Sequence, residues 1–357
     1  MSGIVSDNLG RSSGLTKSAT VTTQPKSTSS SDPATDTNPS GGVGHIHLNS
    51  SDGELFVCYD ATTDDNQWLG TAGTSVKIVK INGNLGVTVG GHQKPPITDI
   101  MDEVSIASLG DATDFGDLTE ARRTACTSNR VRGLAFGGEV TGGTSATETI
   151  DYWTFASLGD ATDFGDCTAE TWGGMGCACD GTKALASGGG NATTSPLDII
   201  DTVNVSSTGD ATDHGDLTVA RYGAGGCSHE TYAIFAGGWT SAACDIIDYV
   251  AIATAGDATD FGDLTDDINY IGGSCSDNVR AQWAGGQKVS PINRIESVNI
   301  ASKGDATDFG NITVTRTNAA GFNDDTKGCC SGGYTSPGTS DVIDYWVMAS
   351  PGDASDF

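Results

Sequence analysis

The sequence predicts an all-β protein whose main part is a six-bladed β-propeller, and three observations lead to that prediction. The phrase GDATDFGDLT, or a close variant, returns at intervals of 49, 50, 47, 48 and 48 residues. A Gly-Gly pair recurs in register six times, from Gly90 to Gly332. Glycine accounts for 50 of the 357 residues, about twice its usual share of about 7%. A period of about 40 to 50 residues is typical of four-stranded propeller blades, whereas solenoid β-helices repeat at shorter periods.

Each repeat is expected to form four short strands joined by Gly, Asp, Asn and Thr turns. In the repeat at 122–164, we place the first strand near 124–127 and the second at 134–138, where it ends on the Gly-Gly pair. The third strand covers 150–156, and the fourth starts within 163–168.

The last repeat stops within its fourth strand, at Phe357. An open sheet edge leaves unpaired N–H and C=O groups, so the ring has to close. We predict that the segment TSVKIVKI at 74–81 pairs with the last blade and closes it.

Three regions are predicted along the chain: an extended anchoring leader at 1–42, a small β-hairpin module at 43–73 and the propeller at 74–357. The leader is rich in Ser, Thr, Asp and Gly, so it cannot bury enough apolar surface to fold alone. It is either a flexible leader or a peptide that becomes ordered against a partner. The run ELFVCY at 54–59 indicates the strand of the hairpin module.

The charge balance is strongly acidic, with 46 Asp and Glu against 18 Lys and Arg and a net charge of −28. Binding to phosphate backbones requires clustered cations, so a nucleic-acid partner is not expected. The first residues lack the pattern of a secretory signal, and no apolar run approaches the length of a membrane span. We therefore expect a protein without membrane insertion that folds in a reducing cytoplasm.

The ten cysteines do not resemble a disulfide framework or a zinc site. Four of them occupy the same place in successive repeats, ten or eleven residues before a Gly-Gly pair, and a phenylalanine takes the fifth place: Cys126, Cys177, Cys227, Cys275 and Phe322. A place that accepts both residue types is a packing position, so these cysteines are predicted to be buried free thiols.

The repeated GDATDFGDLT has a structural and a calcium interpretation. In the structural one, Asp side chains bond nearby backbone N–H groups and Gly supplies positive φ. The phrase also resembles the Asp-box of sialidase-type propellers, which is a structural hairpin, although Ala112 and Thr119 replace its Ser and Trp. In the calcium interpretation, Asp111, Asp114 and Asp117 supply oxygen ligands. Catalysis by one Asp is disfavoured, because the motif recurs in every blade.

The blades resemble those of the kelch family. LTVARYGAGGCSHETYAIFAGG at 217–238 has the arginine near the blade start, the apolar strand and the terminal Gly-Gly. Arg122, Arg221 and Arg316 match the kelch arginine, whereas Thr171 and Ile268 depart from it. The downstream tryptophan of that family is also missing. This resemblance implies a kelch-like fold and says little about function.

The N-terminal region resembles virion proteins of tailed bacteriophages, especially marine ones. SGIVSDNLGRSSGLTKSA at 2–19 is similar to a leader of such proteins, and residues 39–70 are similar to a small module of their fibres. The resemblance implies a homo-oligomeric protein, with a trimer as one of the expected forms, that is assembled into the virion in the host cytoplasm. It also implies leader residues that anchor the chain to other virion proteins: Ile4, Val5, Leu9, Arg11 and Leu15.

One H-x-H pair, His45 and His47, falls on one face of a predicted strand. In trimeric phage spikes such a pair on the threefold axis can hold iron, and imidazole is a suitable ligand for it. The alternative is two partly exposed strand histidines without a metal.

The segments that follow the Gly-Gly pairs differ from blade to blade, so they are the candidate recognition surface. Aromatic residues in such turns are good anchors for sugars or proteins, and the alternative is that they pack over blade edges. The candidate binding residues are His92, Asn191, Trp239, Gln287 and Tyr334.

No sequence motif of an enzyme is recognisable. We expect a non-enzymatic tail fibre or tail-associated adhesin that binds a host cell-surface glycan or protein, or a neighbouring subunit. Two other classes stay open: a capsid decoration, tail nozzle or adaptor protein, and a glycan depolymerase.

Overall fold

A computed structural model gives the fold of the chain. It describes residues 26–29, 33, 39–40, 42–43, 45–49, 55–61, 67–70, 75–76, 85–92 and 97–357, the last without 142–144, 173, 193 and 325. All regular elements in this part of the chain are strands, which confirms the all-β class. None of the described residues belongs to a helix that could cross a membrane. The five predicted anchoring residues, Ile4, Val5, Leu9, Arg11 and Leu15, lie outside the described residues.

The chain divides into two compact units, 1–79 and 80–357. The first unit contains a five-stranded sheet in chain order, and the predicted hairpin module forms its centre. Its strands are β1 (Lys26–Ser29), β2 (Ile46–Asn49), β3 (Leu55–Asp60), β4 (Gln67–Gly70) and β5 (Ser75–Val76). Strand β1 runs parallel to β2, and the other pairs are antiparallel.

The second unit is a six-bladed β-propeller, as predicted. Blade 1 contributes β6 (Leu85–His92), β7 (Ile97–Ser105) and β8 (Thr113–Asp117) within the described residues. Blade 2 consists of β9 (Arg123–Ser128), β10 (Arg132–Thr141), β11 (Ser145–Thr154) and β12 (Thr162–Thr171). Blade 3 consists of β13 (Gly176–Cys179), β14 (Lys183–Ser187), β15 (Ile199–Asn204) and β16 (Thr212–Asp216).

Blade 4 consists of β17 (Gly225–Ser228), β18 (Tyr232–Ala236), β19 (Ile246–Ala251) and β20 (Thr259–Asp263). Blade 5 consists of β21 (Gly273–Ser276), β22 (Arg280–Ala284), β23 (Arg294–Asn299) and β24 (Thr307–Asn311). Blade 6 consists of β25 (Ala320–Asn323), β26 (Lys327–Ser331), β29 (Ile343–Val347) and β30 (Ser355–Asp356). A short hairpin, β27 (Tyr334–Thr335) and β28 (Gly338–Thr339), leaves blade 6 between β26 and β29.

Blades 2 to 6 are antiparallel meanders that each start at the centre of the ring and end at its rim, and the three described strands of blade 1 continue the same pattern. The strands of blade 2 lie where the sequence places them, but β10 continues beyond the Gly-Gly pair through a register shift. A cavity of about 180 Å³ is lined by residues of all six blades, including the innermost strands β9, β13, β17, β21 and β25. The innermost strands therefore surround a central channel.

The prediction that 74–81 closes the last blade is wrong for the two residues of this segment that the structure describes. Ser75 and Val76 belong to β5 and pair with β4 of the first unit, and residues 77–81 lie outside the described residues. Blade 6 needs no strand from elsewhere, because β30 pairs with β29 and completes the sheet from its own repeat.

The ring closes through packing between blade 6 and blade 1. The Lys327 ammonium donates to the Ile106 carbonyl at 3.3 Å, as Arg132 of blade 2 donates to the Val205 carbonyl of blade 3 at 3.0 Å. A Cβ on Gly86 of β6 would lie 2.4 Å from the Phe322 ring of β25, so these strands of blades 1 and 6 are in close contact.

The apolar core lies between the faces of neighbouring blades. Between blades 4 and 5, for example, Ile247 and Phe261 pack with Trp283 and Val298, and all four are almost completely buried. At about 25 cal/mol per Å² of apolar surface removed from water, such contacts are the main source of stability.

The repeated GDATDFGD segments, here called the rim motifs, join each blade to the next at the outer edge. At the joint between blades 2 and 3, the Gly209 N–H donates to the Phe164 carbonyl and the Ala211 N–H to the Asp166 carbonyl, both at 2.7 Å. The Asp210 carboxylate accepts the Asp166 N–H at 3.2 Å. The same three bonds recur at the other joints from blade 1 to blade 6. The rim motif therefore has an architectural role.

A buried ion pair fixes the segment that leads from one blade to the next. Arg221 pairs with Asp248 at 2.9 Å, and both side chains are completely buried. The Thr218 hydroxyl also donates to Asp248, at 2.7 Å. The kelch-like arginines of two other blades, Arg122 and Arg316, make the equivalent pairs.

The two blades that lack this arginine use different solutions. In blade 3, Thr171 replaces the arginine in the sequence, and the Asp201 carboxylate accepts hydrogen bonds from the Thr168 N–H and hydroxyl at 2.9 and 2.6 Å. Burial raises the pKa of Asp201. In blade 5, Glu296 replaces the aspartate and pairs with Arg294 from its own strand at 3.2 Å.

Candidate functional site

A pocket of about 220 Å³ lies on the ring axis, at the end of the channel where the innermost strands begin. Its side chains come from five blades and follow the kelch-arginine position of each blade by one or two residues, apart from Glu139. They are Arg123 and Glu139 of blade 2, Trp172 of blade 3, Tyr222 of blade 4, Tyr270 of blade 5 and Asn318 of blade 6. The same segment of five successive blades supplies these residues, and such segments meet only at the axis, so we call this the axial pocket.

Backbone hydrogen bonds between blades hold the base of the axial pocket together. The Gly223 N–H donates to the Gly174 carbonyl at 2.6 Å, and the Ile271 N–H donates to the Gly223 carbonyl at 3.3 Å. The Asn318 N–H donates to the Tyr270 carbonyl at 3.0 Å. The chain segments under the pocket side chains are therefore fixed by their neighbours, which makes the pocket preformed.

Aromatic rings form much of the wall. The rings of Tyr222 and Tyr270 lie with their centroids 6.0 Å apart and their planes tilted by 49°, and both are half-buried together with Trp172. Burial, followed by hydrogen bonding with Tyr270, raises the pKa of Tyr222 to about 12. The Tyr222 hydroxyl is therefore neutral at physiological pH.

One ion pair supplies the charge in the pocket. Arg123 and Glu139 meet at 2.8 Å, with 37% of the arginine side chain and 11% of the glutamate side chain exposed. The pair leaves the pocket wall electrically neutral and offers donors and acceptors side by side.

Two of the lining residues have a left-handed backbone. Tyr270 has φ of 49° and Asn318 has φ of 51°, while blade 4 has a glycine, Gly223 with φ of 73°, at the equivalent place. A bulky residue with positive φ is strained by about 1 to 3 kcal/mol, and such strain concentrates at functional sites. The strain at Tyr270 supports a function for its side chain.

The binding residues predicted from the sequence lie on the same face but do not line the axial pocket. Trp239, Gln287 and Tyr334 each form an isolated β-bridge with the chain segment that supplies a lining residue of the pocket. The bridged residue is either the lining residue itself or the residue before it. Asn191 accepts the Thr194 N–H within its own loop at 2.6 Å, and His92 pairs with Ile97 in the blade 1 hairpin. Whether these residues bind a ligand stays a prediction.

Sequence reasoning missed the lining residues, except that Glu139 belongs to a predicted variable segment. A signal for three of them was present in the repeat alignment, since the residue after the kelch-arginine position differs in each of blades 2 to 6. The series reads Arg123, Trp172, Tyr222, Asn269 and Thr317.

The channel cysteines are packing residues, as predicted. All ten cysteines are free, and the Cys227 thiol donates to the Cys275 carbonyl of the next blade at 3.2 Å. Burial raises the pKa of Cys227 to about 12, so the thiol is not a nucleophile. Cys126 departs from the prediction, since it is exposed where it lines the channel cavity.

His45 and His47 lie on one face of the N-terminal sheet, as predicted, but both are buried. The two ring nitrogens of His47 bond the hydroxyls of Ser27 and Ser29 at 2.8 and 3.1 Å, and His45 bonds Ser27 at 3.0 Å. Burial and the neighbouring His47 lower the pKa of His45. Iron binding by an oligomer stays a prediction.

The calcium interpretation of the rim motif gains no support from the described residues. No group of three His, Cys, Asp or Glu side chains among them is arranged to hold a metal ion. Desolvation, followed by repulsion from Asp198, Asp257 and Asp213, raises the pKa of Asp216, and Asp263 has an equivalent environment. The rim therefore carries uncompensated negative charge.

Blade 5 shows how this repulsion can be relieved, because it has an asparagine where blades 3 and 4 have an aspartate. The double variant Asp216→Asn/Asp263→Asn introduces the same residue type in blades 3 and 4. At the equivalent position Asn311 donates its side-chain amide to Asp353 at 3.1 Å. We expect the double variant to raise Tm at pH 7 by about 2 °C or more in calorimetry, since repulsion becomes hydrogen bonding.

The pH dependence follows from the sign of the shifts. Because the folded-state pKa values of Asp216 and Asp263 are raised, the folded chain binds protons more tightly than the unfolded chain. The contribution of these two carboxyl groups to the free energy of unfolding is most favourable below their pKa in the unfolded chain. It is lost as the pH rises through their pKa in the folded chain. The double variant should lose this part of the pH dependence, and the reverse change Asn311→Asp should lower Tm. An unchanged Tm in both variants would contradict the repulsion.

Fold and site together define a rigid β-propeller with a preformed pocket on its axis. No protein-family model matches the sequence, and no curated protein matches it.

Proposed function

We propose that this protein is a non-enzymatic recognition and structural subunit of a tailed-phage virion, of the tail fibre or tail-associated adhesin type. The N-terminal leader attaches it to other virion proteins, and the propeller binds the host surface or a neighbouring subunit. The axial pocket is the observation that supports a recognition role. The resemblance of residues 2–19 and 39–70 to phage virion proteins motivates the virion part.

The contrast between rim and axis supports a recognition role. At the rim, the blades repeat the same hydrogen bonds with nearly the same residues. At the axis, the corresponding segments of successive blades carry an arginine, a tryptophan and tyrosines, all held over a fixed backbone. A rigid frame with side chains that differ at one convergent place is suited to binding a specific ligand.

The chemistry of the axial pocket favours binding over catalysis. The Glu139 carboxylate is engaged in an ion pair with Arg123 at 2.8 Å, and burial raises the pKa of Tyr222 to about 12, so the Tyr222 hydroxyl is not poised to transfer a proton near neutral pH. A depolymerase would instead release reducing sugar from host polysaccharide.

Gold-labelled antibody against the propeller, applied to intact virions, tests the location. We expect label at the tail tip or on tail fibres. Label over the head or along the tail trunk would contradict the attachment role and favour a decoration, nozzle or adaptor protein.

A further inference from the structure

We propose that the axial pocket binds one ring of a neutral pyranose sugar. This inference rests on the proposed recognition function and assigns its ligand class and binding residues. The ligand would lie among Trp172, Tyr222 and Tyr270, beside the Arg123–Glu139 pair.

The size of the pocket matches that of a small ring. Its volume of about 220 Å³ lies below the about 300 to 1,000 Å³ of sites for drug-sized molecules. Single sugar units at the end or along the side of a glycan are of this size class, whereas a folded protein epitope is not.

The aromatic wall suits the apolar faces of such a ring. A pyranose presents C–H groups above and below its plane, and an aromatic face carries the negative part of a quadrupole that attracts them. The tilt of 49° between Tyr222 and Tyr270 presents ring surfaces in two directions at one place.

The polar groups suit the hydroxyl edge of the ring. Sugar hydroxyls both donate and accept, so a paired guanidinium and carboxylate can bind neighbouring hydroxyls at once. Because Glu139 already neutralises Arg123 and the chain carries a net charge of −28, an anionic sugar would find no free cation here. This selects neutral sugars over uronic and sialic acids.

The strained backbone of Tyr270 identifies the residue whose role can be tested most cleanly. Its φ of 49° is a conformation that glycine adopts without strain, and blade 4 has Gly223 at the equivalent place. Tyr270→Gly therefore removes the ring while relieving the backbone.

Calorimetric titration of the full-length protein with galactose, glucose, N-acetylglucosamine and glucuronate tests the proposal. We expect at least one neutral sugar to bind with a dissociation constant on the order of 1 mM, and glucuronate to bind at least tenfold more weakly. Tyr270→Gly should weaken binding about tenfold, with Tm within about 3 °C of the wild type.

Leu109→Gly is the matched control, because Leu109 also has positive φ, 55°, but lies in a turn of blade 1. It should bind sugar as the wild type does. Absence of binding by every neutral sugar, equal binding of glucuronate, or unchanged binding by Tyr270→Gly would overturn the proposal. If no sugar bound but the antibody labelled the tail, the sugar proposal would be wrong. The adhesin proposal would then remain, with a ligand of another class.

Discussion

Asp248→Asn is expected to destabilise the propeller by about 3 kcal/mol or more, as measured by urea unfolding. Asp248 neutralises Arg221 in a site where both side chains are completely buried. Removing one member of such a pair leaves an uncompensated buried charge, which typically costs about 3 to 5 kcal/mol. The variant keeps the shape of the side chain, so the loss reports the charge.

Asp201→Asn provides the control for this experiment. Asp201 occupies the equivalent position of blade 3, but Thr171 replaces the arginine there. Burial raises the pKa of Asp201. Its charge is unfavourable in the folded state, so an amide should cost less than about 1 kcal/mol at pH 7. Equal losses in the two variants would show that hydrogen bonding, and not charge pairing, holds these segments.

Gly262→Val is expected to destabilise the joint between blades 4 and 5 by about 2 to 5 kcal/mol, the sum of overpacking and backbone strain. A Cβ at this position would lie 2.4 Å from the carbonyl carbon of Gly304 in the next rim motif, and the backbone has φ of 150°. The side chain would force apart the three bonds of the joint. Urea unfolding gives the loss, and limited proteolysis should cut the rim faster.

Gly256→Val is the matched control within the same rim motif, because no atom lies within 4 Å of the added Cβ. It should unfold within about 1 kcal/mol of the wild type, in the usual range for surface changes. If both glycines tolerate valine, close contact at the rim is not what joins the blades.

The blades could be predicted from the sequence because their determinants are local and repeated. The rim motif and the Gly-Gly pairs mark each turn, so the four strands of blade 2 were placed close to their observed bounds. The closing strand was not predictable, since alternating residues such as those at 74–81 fit any available sheet edge. Ser75 and Val76 pair with β4, which is nearby in sequence.

The axial pocket was not predictable from local patterns. Trp172, Tyr222 and Tyr270 are separated by 50 and 48 residues and meet only because the ring brings the corresponding segments of its blades to the axis. Sequence variation pointed to the loops after the Gly-Gly pairs, which lie on the same face. The left-handed backbone of Tyr270 is visible only in the structure.

Binding of fluorescently labelled full-length protein to intact host cells tests the central claim most directly, which is that the axial pocket is the recognition site. Wild-type protein and the Leu109→Gly variant should bind cells equally, and Tyr270→Gly should bind at least about tenfold more weakly. Equal binding by all three proteins would contradict a recognition role for the pocket.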